Sequence, residues 1–132
     1  MRYGRKNLIF GFVYIIFTLA LGVFISFKLK SNPEFAKEGF AFPRVIMRAA
    51  HAHGNLEAIL NMIIGLLVDR LRTTDTMKQV ISVSIILGTL LHSGILYILP
   101  LVPFAGKMTI IGAVLIIFTM VATAIAVIRG ME

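Results

Sequence analysis

"LIFGFVYIIFTLALGVFISF", Leu8 to Phe27, is an uninterrupted run of twenty residues without a charge. An α-helix needs ~20 apolar residues to cross the hydrocarbon core of a bilayer. The run has no period-two alternation, so a β-barrel strand is excluded, and a helix is the remaining way to satisfy its backbone in lipid. Three further stretches of similar character lie downstream: Val45 to Val68, Val80 to Leu99 and Thr109 to Ile128. The expected fold is therefore all-α, an integral membrane four-helix bundle. It is a single domain over residues 1–132, with spans at about 8–27, 45–68, 80–99 and 109–128. Composition agrees, with 58% hydrophobic and 14% charged residues and a mean hydropathy of +0.94, outside the range of soluble domains.

Arg2, Arg5 and Lys6 precede the first run in the manner of a secretory signal. The run is longer than a signal peptide's apolar region, and "FISFKLKSNPEF" has no small-residue cleavage pattern, so a retained helix is expected. Cysteine is absent, which excludes disulfides and thiolate metal sites.

The net charge of +7 comes from 13 Lys and Arg against 6 Asp and Glu. These charges punctuate the ends of the apolar runs and do not form a stripe, so nucleic acid is not an expected partner. Four spans put Arg2, Arg5, Lys6, Arg70, Arg72, Lys78 and Arg129 on one side. Lys28, Lys30, Lys37, Arg44, Arg48 and Lys107 fall on the other. The N-terminal cluster tips the orientation toward cytoplasmic termini, as in a multi-pass protein of a bacterial inner membrane. Of the links, "KLKSNPEFAKEGFAFPR" reads as an amphipathic linker, with an interfacial segment over the bundle mouth as the alternative. "DRLRTTDTMK" is short enough to make spans two and three antiparallel neighbours, and Pro100 and Pro103 end the third span.

Against this background "AHAHGNLEAILN", Ala50 to Asn61, is anomalous. A helix turns ~100° per residue, which sets His51 and His53 ~200° apart on opposite sides of the second span. His53, Glu57 and Asn61 recur every four residues as one polar stripe, and His51 with Asn55 forms another. Lone amides in spans commonly bond neighbouring helices. A carboxyl near mid-membrane costs at least ~2.5 kcal/mol on insertion scales and marks a functional position. His92 in the third span, with Tyr97 beyond it, adds a third imidazole. Helical bundles hold metals and porphyrins with such residues.

The chain resembles the styrene oxide isomerase family, small four-span membrane proteins that bind heme b. The similarity covers most of the length and is strongest over "RKNLIFGFVYIIFTLALGV", with Arg5, Lys6, Gly11, Ile15, Thr18, Leu19, Gly22 and Val23 in common. Ala50, His51 and Leu56 in the second span and Gly94 in the third also match. The resemblance implies heme b with His51 as axial ligand, in a homotrimer. The implied activity is redox-neutral: ferric iron, as a Lewis acid, opens a small hydrophobic epoxide to an aldehyde.

The family's Asn six residues after the ligand is Glu57 here. Its Tyr position is Leu96, with Tyr97 one place on, and His92 stands where the family has a small amide. Glu57, Tyr97 and His92 are the catalytic candidates. His51, His53, Asn55 and Asn61 are the cofactor-binding candidates, with either His51 or His53 ligating iron. His51 and Glu57 diverge by ~120° and ~9 Å along one helix, so a site shared between protomers is expected, with Glu57 supplied by a neighbour. Two other classes remain. One is a heme or metal protein for electron transfer or gas binding, including a non-heme metal held by His53, Glu57 and His92. The other is a structural membrane subunit.

Overall fold

The uncharged N-terminal run is helical throughout, and its helix extends past both ends: α1 covers Gly4–Ser31 in the computed structural model, which describes residues 1–37 and 41–131. Lys28 folds back over the rings of Phe24 and Phe35, with its ammonium 5.6 and 5.7 Å from the ring centroids. Asn32 then caps the short α2, Pro33–Ala36, accepting a hydrogen bond from the Phe35 backbone N–H. Phe35 is buried, so this half of the predicted linker is packed. Residues 38–40, the rest of its centre, lie outside the described residues.

The remaining elements are α3 (Ala41–Leu67), a single 3-10 turn (Val68–Arg70), α4 (Asp75–Thr89), a π-helical turn (Leu90–Gly94), α5 (Ile95–Ile98), a 3-10 turn (Pro103–Ala105) and α6 (Gly106–Arg129). The described residues form no sheet. The segments 4–31, 75–98 and 103–129 are each long and apolar enough to cross a membrane. The fourth long helix, α3, falls outside that group because His51, His53, Asn55, Glu57 and Asn61 dilute its apolar residues.

The packing is inverted relative to a water-soluble protein. Phe12, Val13, Ile16 and Val23 on α1 are exposed, whereas its buried positions are Gly4, Asn7, Gly11, Tyr14, Thr18 and Ile25. These keep a three-and-four spacing that holds one face of α1 on its neighbour. Small residues on that face let backbones approach, which is how helices associate where lipid removes the hydrophobic incentive. At Gly4 a Cβ would overlap the carbonyl of Gly65 on α3, and at Gly11 it would come within 2.8 Å of the Ala58 carbonyl. An apolar core of Ile64, Val68, Leu71, Ile81, Ile85 and Ala126 closes the end where the termini meet.

At that end Asp69 receives backbone hydrogen bonds from Arg2, Tyr3 and Gly4 at 2.9–3.1 Å, satisfying the free N–H groups at the start of α1. Desolvation pushes the Asp69 carboxyl up, but these three donors together with the N-terminal charge outweigh it and hold the group below its ordinary range. A depressed folded value means that the stabilisation is present above the unfolded value of ~3.9 and is lost as pH falls through the folded one. Asp69→Ala is expected to lower stability by ~1 kcal/mol at neutral pH, the usual cost of a lost cap. In thermal melts the gap from the parent should narrow below about pH 4. A gap that stays constant down to pH 3 would show that the carboxylate's charge is not what caps α1.

Candidate functional site

The side chains of α3 divide as a 3.6-residue period requires. On the α1 side, His51 Nδ1 lies 2.8 Å from the Thr18 carbonyl. That acceptor assigns the ring proton to Nδ1 and makes Nε2 the acceptor nitrogen. Asn55, one turn on, accepts from the Thr18 hydroxyl at 2.5 Å and directs its amide N–H at His51 Nε2 at 3.3 Å. Gly22 makes room for this ring, since a Cβ there would overlap it.

On the opposite side, Glu57 is 3% exposed and meets the π-helical turn. Its Oε1 is 2.5 Å from His92 Nδ1, and its Oε2 accepts from the Ser93 hydroxyl at 2.6 Å. Tyr14 OH is 2.8 Å from Ser93 Oγ. His53, on the exposed side of α3, packs its ring edge-on against His92 with centroids 4.9 Å apart. One ligand atom from each of His53, Glu57 and His92 falls within 4.8 Å of the others.

The π-helical turn brings His92 to Glu57. One wide turn inserts a residue into the helical repeat and rotates the residues beyond it, and such turns recur at functional positions. The Ser93 hydroxyl also lies 3.3 Å from the Thr89 carbonyl, one of the backbone groups the wide turn loosens. From outside, α6 presses Gly112 onto the backbone of Leu91 and His92.

Asn61 makes helix contacts. It is fully buried, and its amide donates to the Glu57 carbonyl and to Thr89 Oγ1, both at 2.9 Å. Its oxygen faces the Asn7 amide at 3.4 Å, and Asn7 donates to the Ser82 carbonyl at 2.9 Å. One Asn61 donor is thus engaged within α3 and the other reaches α4. The Glu57 carboxylate points into the helices of its own chain, where His92 and Ser93 are its hydrogen-bond partners.

Tyr97 makes an edge-on contact with Phe17 at 5.5 Å between centroids. Its hydroxyl is buried beside Gly54 and has no hydrogen-bond partner among the described residues. It does not join the Glu57 cluster. Sequence reasoning overlooked Tyr14, Ser93 and Thr89. For Tyr14 a signal existed, since Asn7, Gly11, Tyr14 and Thr18 repeat at helical spacing on α1.

The chemistry of the two clusters differs. His53, Glu57 and His92 are a two-imidazole, one-carboxylate set suited to a first-row divalent metal, and Ser93 and Tyr14 fix the carboxylate's orientation from behind. His51 has the tautomer of an axial ligand, with Nδ1 tied to a carbonyl and Nε2 offered through a weak amide contact, so its donor chemistry fits heme b as well. No protein-family model, no curated protein and no solved structure matches this chain.

Proposed function

We propose that this chain is a four-helix integral membrane protein, with α3 as its fourth span, and that it carries a non-heme metal centre at His53, Glu57 and His92. The observation that carries this reading is the convergence of the three donors within 4.8 Å around a carboxylate buried among apolar helices. Taking a carboxylate out of water costs several kcal/mol even after relaxation, and a chain does not keep that cost without compensation. Hydrogen bonds from His92 and Ser93 offset part of it, and a divalent cation would offset more. The bound metal supplies Lewis-acid or one-electron chemistry. His53 is exposed on the outer face of α3, so a small apolar molecule reaches the centre laterally from the lipid. Ligation through His92 Nδ1 would release the proton held there, whereas ligation through Nε2 would leave that proton on the hydrogen bond to Glu57.

A second reading is favoured by the tautomer of His51: heme b on His51 in a homotrimer, with redox-neutral opening of a hydrophobic epoxide to an aldehyde. In that reading Asn55 swings off Nε2 to admit iron, and Glu57 acts from within the protomer. The orientation that accompanies both readings puts the N-terminal cluster of Arg2, Arg5 and Lys6, with both termini, in the cytoplasm.

Metal analysis and an absorption spectrum of protein expressed with ample iron, zinc and heme separate the two. The metal-centre reading expects about one equivalent of metal and no Soret band, with loss of the metal in His92→Ala and retention in His51→Ala. The heme reading expects a Soret band that disappears in His51→Ala and persists in His92→Ala, with aldehyde formed from an aryl epoxide. A colourless, metal-free protein that is folded and membrane-inserted overturns both and leaves the polar residues as interhelical bonding.

A further inference from the structure

At the end remote from the metal cluster, α4 and α6 enclose a cavity of about 240 Å³. Its walls include Met77, Phe118, Val121 and Ile125, and its rim carries Thr73 and Arg129. On α6 the span from Arg129 down to Phe118 is eleven residues, ~16 Å at 1.5 Å per residue. That is close to half of the ~30 Å hydrocarbon core of a bilayer. The cleft thus has the depth of one leaflet, with a basic group at its mouth.

The rim is assembled by a backbone contact. Leu71 and Met131 form an isolated antiparallel bridge, and Arg72 N–H donates to the Gly130 carbonyl at 3.1 Å. Gly130 turns the chain with φ of +118°, and a Cβ there would come within 3.2 Å of the Arg72 side chain. This contact lays the Arg72 side chain against Gly130, the residue that follows Arg129 in the chain. Among the described residues the nearby carboxylates are committed elsewhere: Asp69 to the start of α1, and Asp75 to Arg2 at 3.2 Å. Neither Arg72 nor Arg129 has an ion-pair partner among the described residues. Two guanidinium groups without an ion-pair partner among the described residues, one of them lining an apolar cleft of leaflet depth, match one ligand chemistry, an anion that carries a hydrocarbon tail.

We propose that this cleft is a binding site for an anionic phospholipid, with its phosphate between Arg72 and Arg129 and one acyl chain against Phe118, Val121 and Ile125. The proposal rests on the membrane assignment and not on the metal centre. Arginine forks suit phosphate oxygens, and each basic residue near a membrane surface adds attraction to anionic lipid. The lipid would then bridge α4 and α6 across the rim.

Native mass spectrometry of the full chain, released from mixed micelles containing phosphatidylglycerol and phosphatidylcholine with identical acyl chains, tests it. The expected result is one retained phosphatidylglycerol in about tenfold preference over phosphatidylcholine. The double variant Arg72→Gln with Arg129→Gln should bring the two lipids to parity. Both positions are exposed, so the fold tolerates that change. Ala122→Phe, which fills the cleft, should lower retention of both lipids. Equal retention of the two lipids by the parent protein would overturn the proposal. Displacement of the lipid by excess inorganic phosphate would overturn it too, as would finding the cleft covered by a second copy in a lipid-independent dimer.

Discussion

Glu57→Gln is expected to lower metal affinity at the His53–Glu57–His92 centre by at least a hundredfold while leaving the helices assembled. Glutamine has the size of the carboxylate it replaces. Its carbonyl still accepts from His92 Nδ1, and its amide donates to Ser93 Oγ, reversing the hydrogen bond seen at 2.6 Å. The loss is the negative charge, the component that binds a divalent cation in a low-dielectric site. Replacing groups that merely orient ligands costs 10–100-fold in affinity, so a ligating charge should cost more. Glu57→Ala adds a second effect, because it strands His92 and Ser93 without their partner. Breaking a buried pair from one side costs about 3–5 kcal/mol. The two variants therefore separate binding from folding: Gln loses metal and keeps stability, and Ala loses both. Metal stoichiometry by elemental analysis and stability by denaturant titration in a mild detergent are the measurements. Full metal occupancy in Glu57→Gln would remove Glu57 from the ligand set.

Where periodicity governs the outcome, sequence and structure agree. The apolar runs are helical, and α1 and α6 extend past the ends of their runs because Lys28, Lys30 and Arg129 continue them without a helix breaker. The four-residue spacing of His51 with Asn55, and of Glu57 with Asn61, places each pair on a common face of α3, and the pairs make the contacts that this implies. Spacing along one helix says nothing, however, about which residues of another helix it meets. The partner of Glu57 is 35 positions away, on a turn whose extra residue shifts the phase of everything after it. Without that turn a regular repeat from Asp75 would carry His92 to a different angle. The same limitation applies to the role expected of Glu57. Geometry within one helix sets Glu57 away from His51 and suggests a neighbouring protomer, and it gives no sight of the intrachain hydrogen-bond partners on another helix. Asn61 falls among the cofactor ligands by its place in the stripe, and its neighbours Asn7 and Thr89 become visible only when the helices are packed.

Gly112→Ala should destabilise the protein by about 2–3 kcal/mol, the upper part of the range for overpacking a close contact, and should reduce metal binding although residue 112 touches no ligand side chain. A Cβ at 112 would overlap the His92 backbone nitrogen and come within 2.6 Å of the Leu91 carbonyl carbon and 2.8 Å of the Gly88 carbonyl oxygen. All three are backbone atoms, so no side chain can rotate away and relief requires α6 to withdraw. Withdrawal releases the outer support of the π-helical turn, and the turn sets the direction of His92 toward Glu57. Gly106→Ala serves as the control on the same helix, since a Cβ there meets only the Leu99 side chain at 3.4 Å and should leave both properties near the parent's. Measuring unfolding and metal stoichiometry for the two variants side by side distinguishes the outcomes. A Gly112→Ala protein that is destabilised but binds metal at parent affinity would mean that His92 is held by Glu57 and Ser93 alone. Parent-like stability would mean that α6 does not press on the turn as closely as these contacts require.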